Sequence, residues 1–176
     1  FGPSLGVPEP ESPLLYNFFE AAMATVTFAF NALEIYCNQV IADQLTDGRT
    51  FDRKTRKGTQ RFEADGAQRN LSTEEKLTRV LPELLGAERP ADAGILSHFK
   101  ALKRARDATI HMKATDAYIG ALQLETQSLF HEFFNAKSLV WFPTLVIDIL
   151  SSLQKPHDPE PRWLIGARDS LTGQRT

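Results

Sequence analysis

Residues Ser97–Lys113 read SHFKALKRARDATIHMK, which combines apolar residues at helical spacing with a dense run of Lys and Arg. At about 100° per residue, a helix over this stretch has two different sides. The apolar side carries Ile95, Phe99, Leu102, Thr109 and Ile110, and the opposite side carries Lys100, Arg104, Asp107 and His111. The spacing predicts a helix from about Ala93 to Met112, with a core face and a charged stripe.

Arg106 departs from the charged stripe and projects towards the apolar side of this helix. A charged group in that position needs a partner, because an unpaired charge is costly away from water. Glu34, in the middle of an apolar first helix, is the partner that we predict. Arg104 stays on the stripe, two turns before His111, and is the alternative ligand for a phosphate group.

The 176 residues are 42% hydrophobic and carry a net charge of −2. This length suits one domain with a substantial core. Attraction to phosphate must therefore come from local clusters of Lys and Arg rather than from the whole molecule. Cys37 is the single cysteine, so no disulfide can form within the chain. We expect a reducing compartment, a cytoplasmic protein and an inert core thiol.

Prolines divide the chain into three segments. Residues 1–11 are predicted to be an extended lead-in, residues 12–154 a helical domain, and residues 155–176 a Pro-rich tail that packs on the domain. Ser12, followed by proline, caps a first helix that runs to about Leu45. Polar residues interrupt its apolar run, which favours a core helix and no contact with a membrane.

The segment Thr46–Asn70 has no apolar periodicity and is rich in Lys and Arg. Its length is unusual for a plain connection inside a compact domain. Two interpretations stay open: a solvated, mobile loop, or a basic flap that touches phosphate, with Phe51 and Phe62 as stacking groups.

The second half of the chain predicts further helices. A capping box at Ser72 starts one that kinks or ends at Pro82. Others are predicted near Thr126–Asn135 and Ser138–Leu153. No strand-like alternation is visible, so we predict an all-α bundle with a long first helix and a basic loop after it. Three apolar residues are expected to pin the tail to the body: Trp163, Leu164 and Ile165.

Arg106-Asp107-Ala108-Thr109-Ile110-His111 fits the R-x4-6-H signature of HEPN domains, and the chain resembles that family from about Pro13 to Leu153. The first-helix segment Phe30–Asn38 is also similar to the first helix of many members. The resemblance implies a small α-helical bundle. Many such domains are metal-independent endoribonucleases of toxin–antitoxin, phage-defence and CRISPR-linked systems. They typically form dimers in which two copies of the signature share one cleft.

RNA can be cut without a metal when its own 2′-OH attacks the adjacent phosphate. That reaction needs a proton acceptor, a proton donor and positive charge at the transition state. We expect His111 to act as acid and base, Arg106 to clamp the phosphate and Asp107 to orient the site, with no cofactor and no metal. RNA-binding residues are expected to be Arg104, Lys100, Lys103 and Lys113. The expected partners are RNA, a second copy of the chain, and an antitoxin or regulatory protein.

Two positions depart from the family pattern. Many members have Asn after the Arg, whereas Asp107 puts a negative charge beside the proposed phosphate site. Members that are inactivated by nucleotidyl transfer carry a tyrosine two residues after the histidine, where this chain has Lys113. The other histidines are interpreted as structural or solvated: His98, His131 and His157. The alternative function is a non-catalytic HEPN-like module that binds RNA or assembles with protein, and a third is a purely structural subunit.

Overall fold

The computed structural model describes residues 12–87, 93–110, 136–154 and 160–173, and these residues are mostly helical. The predicted helix near Thr126–Asn135 and the lead-in 1–11 lie outside the described residues. In chain order the elements are α1 (Ser12–Gln44), β1 (Phe51–Thr55), β2 (Gly58–Phe62), α2 (Ala64–Asn70), α3 (Thr73–Glu75), a π-helical turn (Lys76–Val80), α4 (Leu81–Leu85), α5 (Ala93–Ile110), α6 (Ala136–Ser152) and α7 (Arg162–Gly173).

Helix α1 is the central element, and it packs against α2, α5 and α6. Apolar residues at spacings of three and four give it a stripe that is removed from water. The chain leaves the helix through Asp47 and Gly48, which both have positive φ. The long first helix is therefore confirmed. Its most deeply buried side chains, each at most 1% exposed, include Val26, Phe30, Leu33, Cys37 and Ile41.

One segment of α1, Tyr16–Gln44, is long and apolar enough to cross a membrane by length and composition. The core helix of a soluble protein passes the same test. Seven side chains of this segment belong to the buried core of the described residues.

The structure is mostly helical, as predicted, but the predicted absence of strands is wrong for the segment after α1. Strands β1 and β2 form an antiparallel hairpin in which Phe51 pairs with Phe62 and Thr55 pairs with Gly58. Phe51 is 1% exposed and belongs to the core, and Phe62 packs against the core from its edge. Helix α2 follows directly. The hairpin is anchored at its base by these two aromatic rings, while its tip stands clear of the core.

Residues 73–85 are helical without interruption, but they pass through a π-helical turn. The Ser72 side chain accepts a hydrogen bond from the Glu75 backbone N–H at 3.2 Å, which confirms the predicted cap. Pro82 has no N–H to donate within the helix, and the wider turn precedes it. The segment ends at Gly86, which has a left-handed φ of 60°.

Lys76 lies in this π-helical turn and is only 1% exposed. Its ammonium group donates to Asn38 Oδ1 at 2.8 Å and to the Gln68 carbonyl oxygen at 2.6 Å. Burial lowers the pKa of Lys76, and the charge of Glu34 acts in the opposite direction. These bonds join the helical segment 73–85 to α1 and α2.

Helix α5 confirms the helix that the sequence predicts from about Ala93, as far as Ile110, its last described residue. Helix α6 confirms the predicted last helix of the domain, and Pro143 lies well inside it. The predicted tail is instead largely helical, as α7, and it packs on α6. Leu164 is fully buried, whereas Trp163 and Ile165 are 52% and 42% exposed. Of the three residues predicted to hold the tail on the domain, only Leu164 is in the core.

Candidate functional site

Arg106 is fixed at the boundary between α5 and α1. Its guanidinium carbon lies 4.0 Å from the centre of the Phe30 ring, within the range of a cation–π contact. Nη1 donates to Asp107 Oδ1 at 2.9 Å, and the side chain is 23% exposed. Nε is buried and has no hydrogen-bond partner. The arginine is held from two sides and keeps donors that its neighbours do not use.

The predicted partner of Arg106 was Glu34, and the structure gives it Asp107 instead. Both Glu34 and Arg106 are described residues, and no ion pair joins them. Glu34 lies one helical turn beyond Phe30, where α1 faces the turn that carries Lys76. The helical wheel correctly turned Arg106 towards α1, but an aromatic face rather than a carboxylate meets it there.

Asp107 has cations on both carboxylate oxygens. Oδ1 accepts from Arg106, and Oδ2 lies 2.6 Å from Lys103 Nζ, one turn earlier on the same helix. The acid therefore neutralises neighbouring charge and orients the Arg106 guanidinium. The sequence interpretation missed the Lys103 pair, although a spacing of four residues on one helix is a readable signal for it.

The remaining cations of the stripe differ in whether an acidic side chain pairs with them. Lys100 Nζ lies 3.6 Å from Glu74 Oε1, with both side chains about half exposed, so the pair is weak. Arg104 is exposed and has no ion-pair partner among the described residues. The structure thus separates a fixed arginine, Arg106, from a free one, Arg104. His111 and Lys113 lie outside the described residues.

The core face of α5 is only partly the one that the wheel predicts. Phe99 and Leu102 are buried, and Phe99 stacks on Phe30 at 6.1 Å between ring centres. Ile110, also assigned to the core face, is 53% exposed. The last described turn of α5 therefore presents an apolar side chain to solvent one turn after Arg106.

Two other predictions concern residues away from the stripe. His98 packs its ring edge-on against Trp141, with 4.3 Å between ring centres, which fits the structural role assigned to it. Burial raises the pKa of the Cys37 thiol from 9.0 to about 12, so the group stays protonated and inert at neutral pH.

An apolar groove of about 450 Å³ lies between α1, α6 and α7, on a different side of α1 from Phe30. Its walls include Phe28, Ala32, Pro143 and Leu171. None of its lining residues lies on α5, and the hydroxyl groups of Thr25 and Ser170 in its walls each donate to the backbone carbonyl oxygen four residues earlier. Within the described parts of the chain, no group of three or more His, Cys, Asp or Glu side chains is placed to hold a metal ion.

No protein-family model, curated protein or solved structure matches this chain.

Proposed function

We propose that this protein is a metal-independent endoribonuclease of the HEPN type that acts as a toxin or phage-defence effector. The observation that carries the proposal is the placement of Arg106. A guanidinium is held on an aromatic ring and a carboxylate, on a helix whose last described residue, Ile110, comes just before His111 in the sequence. A preorganised cation of this kind is what stabilises developing charge on phosphate without a metal.

The proposed reaction uses the RNA's own 2′-OH as nucleophile. The 2′-oxygen bonds to the adjacent phosphorus and gives its proton to a base, while the bond from phosphorus to the 5′-oxygen breaks. An acid protonates that leaving oxygen, which leaves a 2′,3′-cyclic phosphate and a 5′-OH. Histidine near neutral pH suits both proton transfers, and His111 is assigned this role.

The two arginines receive different roles. Arg104 is exposed and unpaired, so it is the better first ligand for a phosphate oxygen. Arg106 is held in place, and Asp107 compensates part of its charge. This arrangement suits a group that stabilises the additional negative charge on the phosphate in the transition state. Lys100 and Lys103 add attraction along the same stripe.

A composite site shared by two protomers is part of the proposal. Ile110 is an exposed apolar side chain one turn after Arg106, and burying it against a second copy would bring two signatures together. Helix α1 also has exposed large apolar side chains, at Leu14, Tyr16, Phe28 and Ile35, and Phe28 lines the groove on a different side of α1 from Phe30. A dimer through that side would leave the two copies of Arg106 apart.

The test is cleavage of bulk RNA in the presence of EDTA by the wild type and by single alanine variants. His111→Ala, Arg106→Ala and Arg104→Ala are expected to lower the rate, with 2′,3′-cyclic phosphate ends on the wild-type products. Arg162→Ala is the matched control, because Arg162 is an exposed cation on α7 without an acidic partner. Full activity in both the His111 and Arg106 variants would refute the site.

The alternative is a module that binds RNA or assembles with protein but does not cut. It is favoured by Asp107, whose carboxylate already takes up the charge of Arg106 and Lys103. A wild type that binds RNA and never releases cyclic-phosphate ends would select this alternative.

A further inference from the structure

The hairpin concentrates positive charge in a molecule that is slightly acidic overall. Between Arg49 and Phe62 the chain has six basic residues and one acid, against a net charge of −2 for the whole protein. Asp52, the one acid, is paired with Arg61 across the two strands at 3.0 Å. The positive charge of this segment is therefore largely uncompensated from within.

Ion pairing shows where free charge lies. Of the exposed Lys and Arg residues in the described parts of the chain, three have an acidic partner within 4 Å: Arg61, Arg69 and Lys100. The exposed ones without such a partner are Arg49, Lys54, Arg56, Lys57, Arg104 and Arg162. Four of these six belong to the hairpin or its entry, and a fifth is the free arginine of the α5 stripe.

The tip of the hairpin is a fixed structure. Thr55 Oγ1 accepts the Lys57 backbone N–H at 3.2 Å and donates to the Gly58 carbonyl oxygen at 2.8 Å. Gly58 has a φ of 125°, which closes the turn. At about 3.3 Å per residue, the tip stands roughly 13 Å from the buried Phe51 ring. Arg56 and Lys57 are thus exposed to solvent at a turn that two hydrogen bonds of Thr55 close.

The base of the hairpin is tied to the element that also contacts the α5 stripe. Arg53 Nε lies 3.0 Å from Glu75 Oε1, and the neighbouring Glu74 pairs with Lys100 of α5. Arg79 lies over the Phe51 ring at 5.4 Å and donates to the Asp52 carbonyl oxygen. Two adjacent acids of α3 therefore contact β1 and the start of the stripe, closely at Arg53 and more loosely at Lys100.

We propose that the hairpin tip, through Lys54, Arg56 and Lys57, is a second RNA-binding element that grips phosphates of the strand bound along α5. The inference rests on the proposed function, because it assumes an RNA ligand at the stripe. Phe51 is buried and Phe62 is packed at the core edge, so the aromatic stacking that the sequence allowed is not available. Binding by the tip is electrostatic and independent of base sequence.

The experiment measures binding of a fluorescent, 2′-O-methylated single-stranded RNA, which lacks the attacking hydroxyl, over a range of salt concentrations. Each phosphate contact on a single strand contributes about 0.7 to the slope of log affinity against log salt. The variant Lys54→Gln/Arg56→Gln/Lys57→Gln is expected to lower the slope by about 2 and to weaken binding about 10- to 100-fold near 0.1 M salt. Cleavage should show a raised KM with kcat unchanged.

Arg162→Gln is the control, because it removes an equally free cation from α7, and its salt slope should match that of the wild type. A triple variant with wild-type affinity and slope would overturn the inference and leave the proposed function intact. Absence of RNA binding in the wild type would overturn both. Tight binding of a polyglutamate peptide that is lost in the triple variant, with RNA binding unchanged, would instead identify an acidic protein as the partner.

Discussion

The aromatic support of Arg106 is the feature on which the candidate site depends most. A guanidinium beside a ring and a carboxylate loses little freedom when it meets a phosphate, because its orientation is already set. Phe30 does this from the middle of α1, where it is 1% exposed and packed by Phe99. The central helix of the fold therefore positions the arginine of α5.

Replacing Phe30 with leucine removes the ring beneath Arg106 and leaves most of the apolar volume. We expect a loss of about 1–2 kcal/mol in the free energy of unfolding. RNA cleavage should fall by about 10- to 100-fold, because a misplaced catalytic group is costly. Phe99→Leu is the matched control, since Phe99 is equally buried and has no described contact with Arg106. Urea unfolding and cleavage rates of both variants test this, and equal losses of cleavage would contradict it.

Ionisation of the Cys37 thiol is expected to lower the stability of the protein at high pH. Its pKa is 9.0 in an unfolded chain and about 12 in the fold, because burial disfavours the thiolate. Above pH 9 the unfolded chain loses a proton that the folded chain keeps, so stability falls as pH rises. The expected loss between pH 8 and pH 10 is about 1 kcal/mol.

Comparing the wild type with Cys37→Ala isolates this effect, because Lys76 changes stability in the opposite direction over a nearby pH range. The alanine variant will be less stable throughout, but its free energy of unfolding should fall less steeply from pH 8 to pH 10. Identical slopes in the two proteins would refute the assignment. In the native wild type, Cys37 should also resist a thiol reagent that reacts with it in urea.

At the scale of elements, local signals located the helices well and the hairpin not at all. The Ser72 cap and the three-and-four spacing of α1 act within a few residues, so they can be seen in the sequence. The hairpin places only Phe51 and Phe62, eleven positions apart, against the core, and its register is set by pairing across the strands. Two apolar residues are too few to show the alternation that is typical of a strand. Gly58 at the turn, after Lys57, is the one local feature of the sequence that indicates a hairpin.

Phe51 is expected to hold the hairpin on the core. Phe51→Ala should cost about 3–5 kcal/mol in the free energy of unfolding, because it empties a site that is 1% exposed. The same change at Phe62, which is only partly buried, should cost less. Limited proteolysis at the Lys and Arg residues of the tip should accelerate more in Phe51→Ala. A larger effect at Phe62 would show that the hairpin is anchored differently.

At the scale of the whole molecule, the sequence located the stripe of α5 but could not say which charges are compensated. That depends on residues that are distant in the chain, such as Glu74 for Lys100 and Phe30 for Arg106. A helical wheel gives the direction of a side chain, and only the packing of helices gives its neighbour. The difference between Arg104 and Arg106 arises from this packing.

The proposed composite site makes a prediction about mixtures of two inactive proteins. His111→Ala keeps its arginines, and Arg106→Ala keeps its histidine. If subunits exchange freely, equal amounts of the two give about half heterodimers. Each heterodimer retains one His111 and one Arg106 on opposite protomers. If the cleft combines residues from both protomers, mixing should restore RNA cleavage that neither variant shows alone.

Differently tagged protomers, co-purified after mixing, measure how much heterodimer has formed. Ile110→Glu is the companion variant, since a charge at this exposed apolar position should oppose a dimer that joins the two signatures. It should abolish recovery in the mixture and lower wild-type cleavage without unfolding the protein, as checked by circular dichroism. Heterodimers that form and remain inactive would show that Arg106 and His111 act within one protomer.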